Sequence, residues 1–289
     1  MGYRGLNGGL AARRTVDVSS SRSRRNSPRP VPPRDLESKL AALQKDYIEL
    51  HDALVEAAQV HRRLCAPRLV QYDDFEIASE TFAVRHVAGD FFTIKKTGRG
   101  VLLALSDICG KGLAAGMWTT YLAGLIATHA AADAEPESIT AEVNRDLCRM
   151  SPVAPLASLF LAQLDPVTGV IDYCSAGHPP ALLLRANGQM EMLSEGGPLL
   201  GVVPAASFVR GRFELRSGDV LLAFSDGITE SRNHADEEFG YQSLEAQLRS
   251  AQNGSADAVL FSVLGAVQDF AAASPLVDDM SLVVVKHRT

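Results

Sequence analysis

The sequence predicts an α+β fold of layered, largely antiparallel sheets covered by helices. Asp165-Pro-Val-Thr-Gly169 and Ala186-Asn-Gly188 are turn sequences that join neighbouring strand-like runs as hairpins. The helical stretches come in consecutive pairs rather than after every strand, which speaks against a parallel doubly wound sheet. Aspartates also sit at the limits of apolar runs: Asp90 in Val-Ala-Gly-Asp-Phe-Phe, Asp107 in Leu-Ala-Leu-Ser-Asp-Ile, Asp226 in Ala-Phe-Ser-Asp-Gly, and Asp278-Asp279 before Met-Ser-Leu-Val.

Residues 1–34 come first and hold eight arginines against one acid, Asp17. Rich in Ser, Gly and Pro and without apolar periodicity, this tail is expected to be disordered. It reads as a solubilising extension or as a basic arm for nucleic acid or a membrane surface. Its net charge of +7 leaves −13 for the remainder, given −6 overall. An acidic body argues against binding a phosphate backbone, so no nucleic-acid partner is expected for it.

A helix follows over 35–66, with Asp35 as N-cap after Pro32-Pro33 and Pro67 as its stop. Leu36, Leu40, Leu43, Tyr47, Leu50, Leu54, Ala57, His61 and Leu64 recur in steps of four and three. That a/d seam predicts a coiled coil and a homodimer through residues 35–65; the alternative is one amphipathic helix lying on its own domain. Residues 72–289 read as one domain. Its strands are expected at 75–82, 100–106, 156–165, 169–175, 181–185, 212–215, 219–225 and 281–286. Its helices are expected at 112–131, 136–150, 241–252 and 255–273.

No stretch approaches the roughly 18–20 apolar residues of a membrane span, and no apolar segment of a signal peptide opens the chain. Cys65, Cys109, Cys148 and Cys174 are scattered and the seven histidines lack zinc-ligand spacing. Reduced thiols and a cytoplasmic location are the expectation.

A carboxylate beside a buried strand is hard to keep ionised unless positive charge meets it. No lysine or arginine adjoins Asp90, Asp226 or Asp278 in sequence. Four such carboxylates brought together would form an all-oxygen site suited to Mg2+ or Mn2+; taken singly, each would merely start a turn. Gly110-Lys-Gly-Leu-Ala-Ala115 imitates a dinucleotide loop, but paired helices and hairpins follow it instead of a βαβ repeat. Gly112 after Lys111 also breaks the Walker pattern.

In order, Gly89-Asp-Phe-Phe92, Asp107-Ile-Cys-Gly-Lys-Gly112, Ala176-Gly-His-Pro-Pro180, Ser225-Asp-Gly-Ile-Thr-Glu230 and Asp278-Asp-Met-Ser281 resemble the motifs of the metal-dependent (PPM, type 2C) serine/threonine protein phosphatases, in their bacterial SpoIIE-like branch. The resemblance runs from about residue 60 to the C-terminus. It implies a four-layer αββα sandwich of two antiparallel sheets, with two Mn2+ or Mg2+ ions at one edge. It further implies that Asp107 bridges both ions, that Asp226, Asp278 and the Ile108 carbonyl are ligands, and that Asp90 binds directly or through water. Asp279 is assigned outside the ligand set.

The implied activity is hydrolysis of phosphoserine or phosphothreonine by a metal-activated water, on a phosphorylated protein such as an anti-sigma-factor antagonist. A catalytically inactive phosphoprotein-binding pseudophosphatase and a hydrolase of small phosphate esters are the competing classes. The same resemblance implies that the segment before the domain signals to the helices at 112–150. Thr93 and Cys109 depart from the common pattern of Asp or Glu and of Ser. Cys109 reads as an oxidation-sensitive or a buried, inert thiol. His178 reads as a proton donor or as a shaper of its turn, and Lys111 as a phosphate attractor or a helix-start residue. Trp118 reads as core.

Overall fold

The computed structural model describes residues 33–64, 67–131, 133–150, 154–272 and 274–288. The expectation of disorder over 1–34 falls mostly outside them, as does Cys65. The chain divides into two compact units, residues 1–47 and 48–289.

Helix α1 (Pro33–Leu64) runs from the first unit into the second. It begins at Pro33 rather than beyond an Asp35 cap. Proline suits a first helical turn, where its missing N–H costs nothing, and Asp35 lies inside that turn, paired with Lys39 at 2.9 Å. In the first unit Leu36, Leu40, Leu43 and Tyr47 are exposed. In the second, Ile48 and Leu50 remain exposed while Ala58 and His61 are buried.

The second unit continues with β1 (Leu69–Tyr72), β2 (Phe75–Phe82), β3 (Phe91–Thr97), β4 (Gly100–Ile108), α2 (Leu113–Ala130), α3 (Pro136–Arg149), β5 (Ala157–Leu164), β6 (Val170–Ala176) and β7 (Ala181–Leu184). Then come β8 (Met190–Leu193), β9 (Gly196–Gly197), β10 (Gly211–Glu214), β11 (Val220–Phe224), α4 (Asp226–Thr229), α5 (Gly240–Ala251), α6 (Ala256–Ala271) and β12 (Met280–His287). One sheet has the order β1-β2-β12-β11-β7-β8 and the other β10-β6-β5-β4-β3. Every ladder is antiparallel except the short parallel pairing of β9 with β6.

Three apolar layers hold these elements together. Between the sheets, Ile77, Leu103, Phe160, Tyr173, Leu221 and Val283 interdigitate. Leu182, Leu222 and Val284 pack outward on Leu244, Val259 and Val263 of α5 and α6. Leu102, Leu159 and Leu161 pack outward on Leu122, Ile126 and Val143 of α2 and α3. The architecture is therefore α/β/β/α, as expected. Because each sheet is covered on both faces, the central strands read as unbroken apolar runs rather than alternating ones. Trp118 is half-buried against the α2/α3 layer.

Candidate metal centre

The antiparallel register creates the site. Phe91 pairs with Ser106, so Asp90, just before β3, comes beside Asp107, near the end of β4. Phe224 pairs with Leu282. Asp226, just past β11, and Asp278, just before β12, therefore reach the same edge of the other sheet. Asp90 and Asp278 precede their strands, whereas Asp107 and Asp226 close theirs; antiparallel pairing turns beginnings and ends into neighbours.

Gly227 makes this edge compact. A Cβ there would stand 2.0 Å from the Asp279 carbonyl oxygen and 3.4 Å from the Asp278 Cβ. Only glycine lets the backbone after Asp226 approach the 278–279 segment so closely. Ile108 presents its carbonyl to the loop that carries Asp90, with its oxygen 3.2 Å from the place a Cβ on Gly89 would take.

The electrostatics are those of crowded acids. Asp90 is buried, and its Oδ2 is buried without a hydrogen-bond partner. Burial raises its carboxyl well above the usual range and the Asp107 charge adds to this, against the pull of the Ser225 and Ser281 hydroxyls. Asp107 is raised to about 6, chiefly by burial and then by Asp226. Asp226 is raised by burial and by Asp278, with Lys111 acting in the other direction. Among the described residues no three His, Cys, Asp or Glu side chains close to ligand spacing as they stand, although a side-chain hydrogen bond with Asp90 acts on Asp107, opposing the rise. An orphaned buried carboxylate oxygen within a mutually repelling all-oxygen set fits a hard divalent cation.

Asp279 does something different. Its Oδ1 accepts from the Val84 amide and its Oδ2 from the Gly89 amide, each at 2.7 Å. It fastens the loop before Asp90 to the start of β12.

His178 is buried, and its Nδ1 lies 2.7 Å from the Ser158 hydroxyl. Burial drives its pKa to about 3, so the ring is neutral and packs in its turn. Cys109 is exposed rather than buried; partial burial and the Asp107 and Asp226 charges push its thiol up, which makes it a poor nucleophile. Three further residues join the site: Lys111, a phosphate attractor or helix-start residue on sequence alone, and Arg85 and Glu230, to which the sequence assigns no role of their own. Lys111 Nζ stands 2.8 Å from Asp278 Oδ2, an ion pair that sequence adjacency could not show. Arg85 is exposed, and its Cδ lies 3.3 Å from where a Cβ on Gly112 would be. Exposed Glu230 is raised first by desolvation and then by Asp226.

Residues 97–288 match the family described as Stage II sporulation protein E (SpoIIE). The chain belongs to the SpoIIE family. Among curated relatives, Protein IcfG of Synechocystis sp. is 23% identical over 263 residues, covering 80% of this chain and 41% of IcfG. Phosphoserine phosphatase RsbU of Bacillus subtilis is 24% identical over 245 residues, covering 83% of this chain and 71% of RsbU. The chain thus spans less than half of IcfG but most of RsbU. The SiaA-PP2C domain of Pseudomonas aeruginosa shares the fold with a TM-score of 0.72 at 17% identity, covering 85% of this chain and 99% of that one. The catalytic domain of serine threonine protein phosphatase PstP, solved in complex with 2 manganese ions, has a TM-score of 0.54 at 17% identity, covering 74% and 99%. The fold of this SpoIIE-family chain is that of the PP2C phosphatases.

Proposed function

We propose that the chain is a metal-dependent phosphoprotein phosphatase that hydrolyses phosphoserine or phosphothreonine with a water activated by two Mn2+ or Mg2+ ions. The observation that carries this reading is the convergence of Asp90, Asp107, Asp226 and Asp278 at one edge, where burial and neighbouring carboxylates disfavour the ionised forms of Asp90, Asp107 and Asp226. Asp107 would bridge the ions, Asp226, Asp278 and the Ile108 carbonyl would complete their protein ligands, and Asp90 would bind directly or through water. Bound there, divalent ions lower the pKa of a shared water and neutralise charge on the phosphoryl oxygens.

The chain's own residues hold and orient. Asp279 keeps the Asp90 loop in place through Val84 and Gly89. Arg85, at the mouth by Gly112, supplies positive charge for a phosphate. No phospho-cysteine step is needed, since the raised Cys109 thiol is ill suited to one. The intact acid set speaks for turnover over mere phosphoprotein binding.

The proposed substrate is a phosphorylated regulatory protein of the anti-sigma-factor-antagonist type, and the proposed assembly is a homodimer through residues 35–65, joined to a phosphatase domain over 72–289. Among the described residues no helix is long and apolar enough to cross a membrane. The cytoplasmic setting rests on the free thiols of Cys109, Cys148 and Cys174.

The test is a phosphatase assay on purified protein with candidate phosphoproteins. Chelator should abolish turnover and added Mn2+ or Mg2+ should restore it. Full turnover after exhaustive metal removal would overturn the reading.

A further inference from the structure

We propose that Lys111 and a divalent cation are alternative partners of Asp278, so that cation binding at Asp278 releases the Lys111 ammonium to meet the substrate phosphate. The inference rests on the phosphatase reading above and adds a role for a residue that reading leaves unassigned.

The geometry is specific. Lys111 Nζ lies 2.8 Å from Asp278 Oδ2 and donates to the Val277 carbonyl at 2.6 Å. Lys111 is carried by a two-glycine turn, with φ of 137° at Gly110 and 77° at Gly112. These values lie in the region that favours glycine; the turn aims the lysine across the site at β12 instead of along α2. Among the described residues Asp90, Asp107 and Asp226 have no ion-pair partner, so Asp278 alone of the four is neutralised by a side chain.

The exchange follows from the chemistry of the two cations. The side chains of Lys111 and Asp278 are 33% and 39% exposed, so solvent and an incoming ion can both reach the pair. An ammonium binds one carboxylate oxygen by hydrogen bonds, whereas a divalent ion coordinates it with twice the charge. Lysine's compact charge on a flexible stem can swing away. At the mouth it would join Arg85, whose side chain lies over Gly112. Lys111 would thereby couple metal loading to substrate affinity: the site gains its phosphate-binding cation as Asp278 takes up metal.

The test is a calorimetric Mn2+ titration of chelator-stripped full-length protein, comparing wild type with Lys111→Met, Lys111→Gln and Lys111→Arg. Removing the competing ammonium should tighten the weaker Mn2+ site about two- to fivefold, the range expected for loss of a partly exposed ion pair. In Lys111→Met and Lys111→Gln, KM for a phosphopeptide should rise. Lys111→Arg should return Mn2+ affinity toward wild type. A purely structural tether to Val277 would give the opposite sign, weaker Mn2+ binding with a lower Tm. That result, or unchanged Mn2+ affinity in a wild type that binds two ions, overturns the proposal. A wild type that binds no Mn2+ overturns the phosphatase reading beneath it instead.

Discussion

Asp279 accepts the Gly89 amide at 2.7 Å, and Gly89 immediately precedes Asp90. The last strand therefore positions the loop that carries the most deeply buried carboxylate of the site. Two aspartates adjacent in sequence divide the work, with Asp278 facing Lys111 and Asp279 holding backbone.

Asp279→Asn tests that division. An asparagine can accept one of the two amides but turns an NH2 group toward the other, leaving a buried donor without an acceptor. The variant should lose about 1–3 kcal/mol of stability in urea unfolding and bind Mn2+ more weakly. Wild-type stability together with wild-type Mn2+ affinity would remove Asp279 from this role.

Asp107→Asn and Asp226→Asn should behave in the opposite way toward folding. Each removes an anion that its neighbours already disfavour, so metal-free stability should stay level or rise. On the proposed assignment turnover should disappear in both, because a neutral amide is a poor substitute for a metal-binding carboxylate. Calorimetric melting in chelator, set beside the phosphatase rate, reads both halves. Substantial turnover by Asp107→Asn would take this residue out of the metal-bridging position.

His178 sets a pH dependence. An unfolded histidine binds its proton near 6.5, whereas burial holds the folded His178 at about 3. Between those values the unfolded chain binds more protons than the folded one. Its contribution to stability is therefore full above about pH 6.5 and is lost as pH falls toward 3, at up to about 1.4 kcal/mol per pH unit. His178→Gln should flatten that part of the stability-against-pH curve, whatever its effect at neutral pH. An unchanged slope would show that the ring is solvated.

Much of this was legible in the sequence because both sheets are covered on both faces. Val101–Leu105 and Leu221–Phe224 are apolar without interruption, and strands of that kind announce themselves. The four aspartates stood out against those runs. What stayed hidden depended on contacts distant in sequence. β1 and β8 are short, and β3 carries Lys95 and Lys96 just before its last residue, Thr97, so none had a sustained apolar pattern. The glycine of Ser225-Asp-Gly reads as a turn residue, yet its reason is the 2.0 Å approach to the Asp279 carbonyl oxygen. Lys111 and Asp278 are separated by 167 positions, so only the folded chain shows them as a pair.

The last prediction concerns α1. Leu43 and Leu50 are 66% and 63% exposed, although they belong to the leucine seam. Their spacing is that of a coiled coil, and a second copy would bury them. Further along the helix, the His51 ring meets His86 edge-on at 5.2 Å. His86 lies within the Val84–Gly89 segment that Asp279 holds, so a rotation of the helix at His51 would reach the loop before Asp90. Leu43→Glu with Leu50→Glu should convert a dimer into a monomer and change the phosphatase rate, read by light scattering alongside turnover. A wild type that is monomeric at micromolar concentration, with the double variant matching its rate, would exclude both the dimer and its influence on the site.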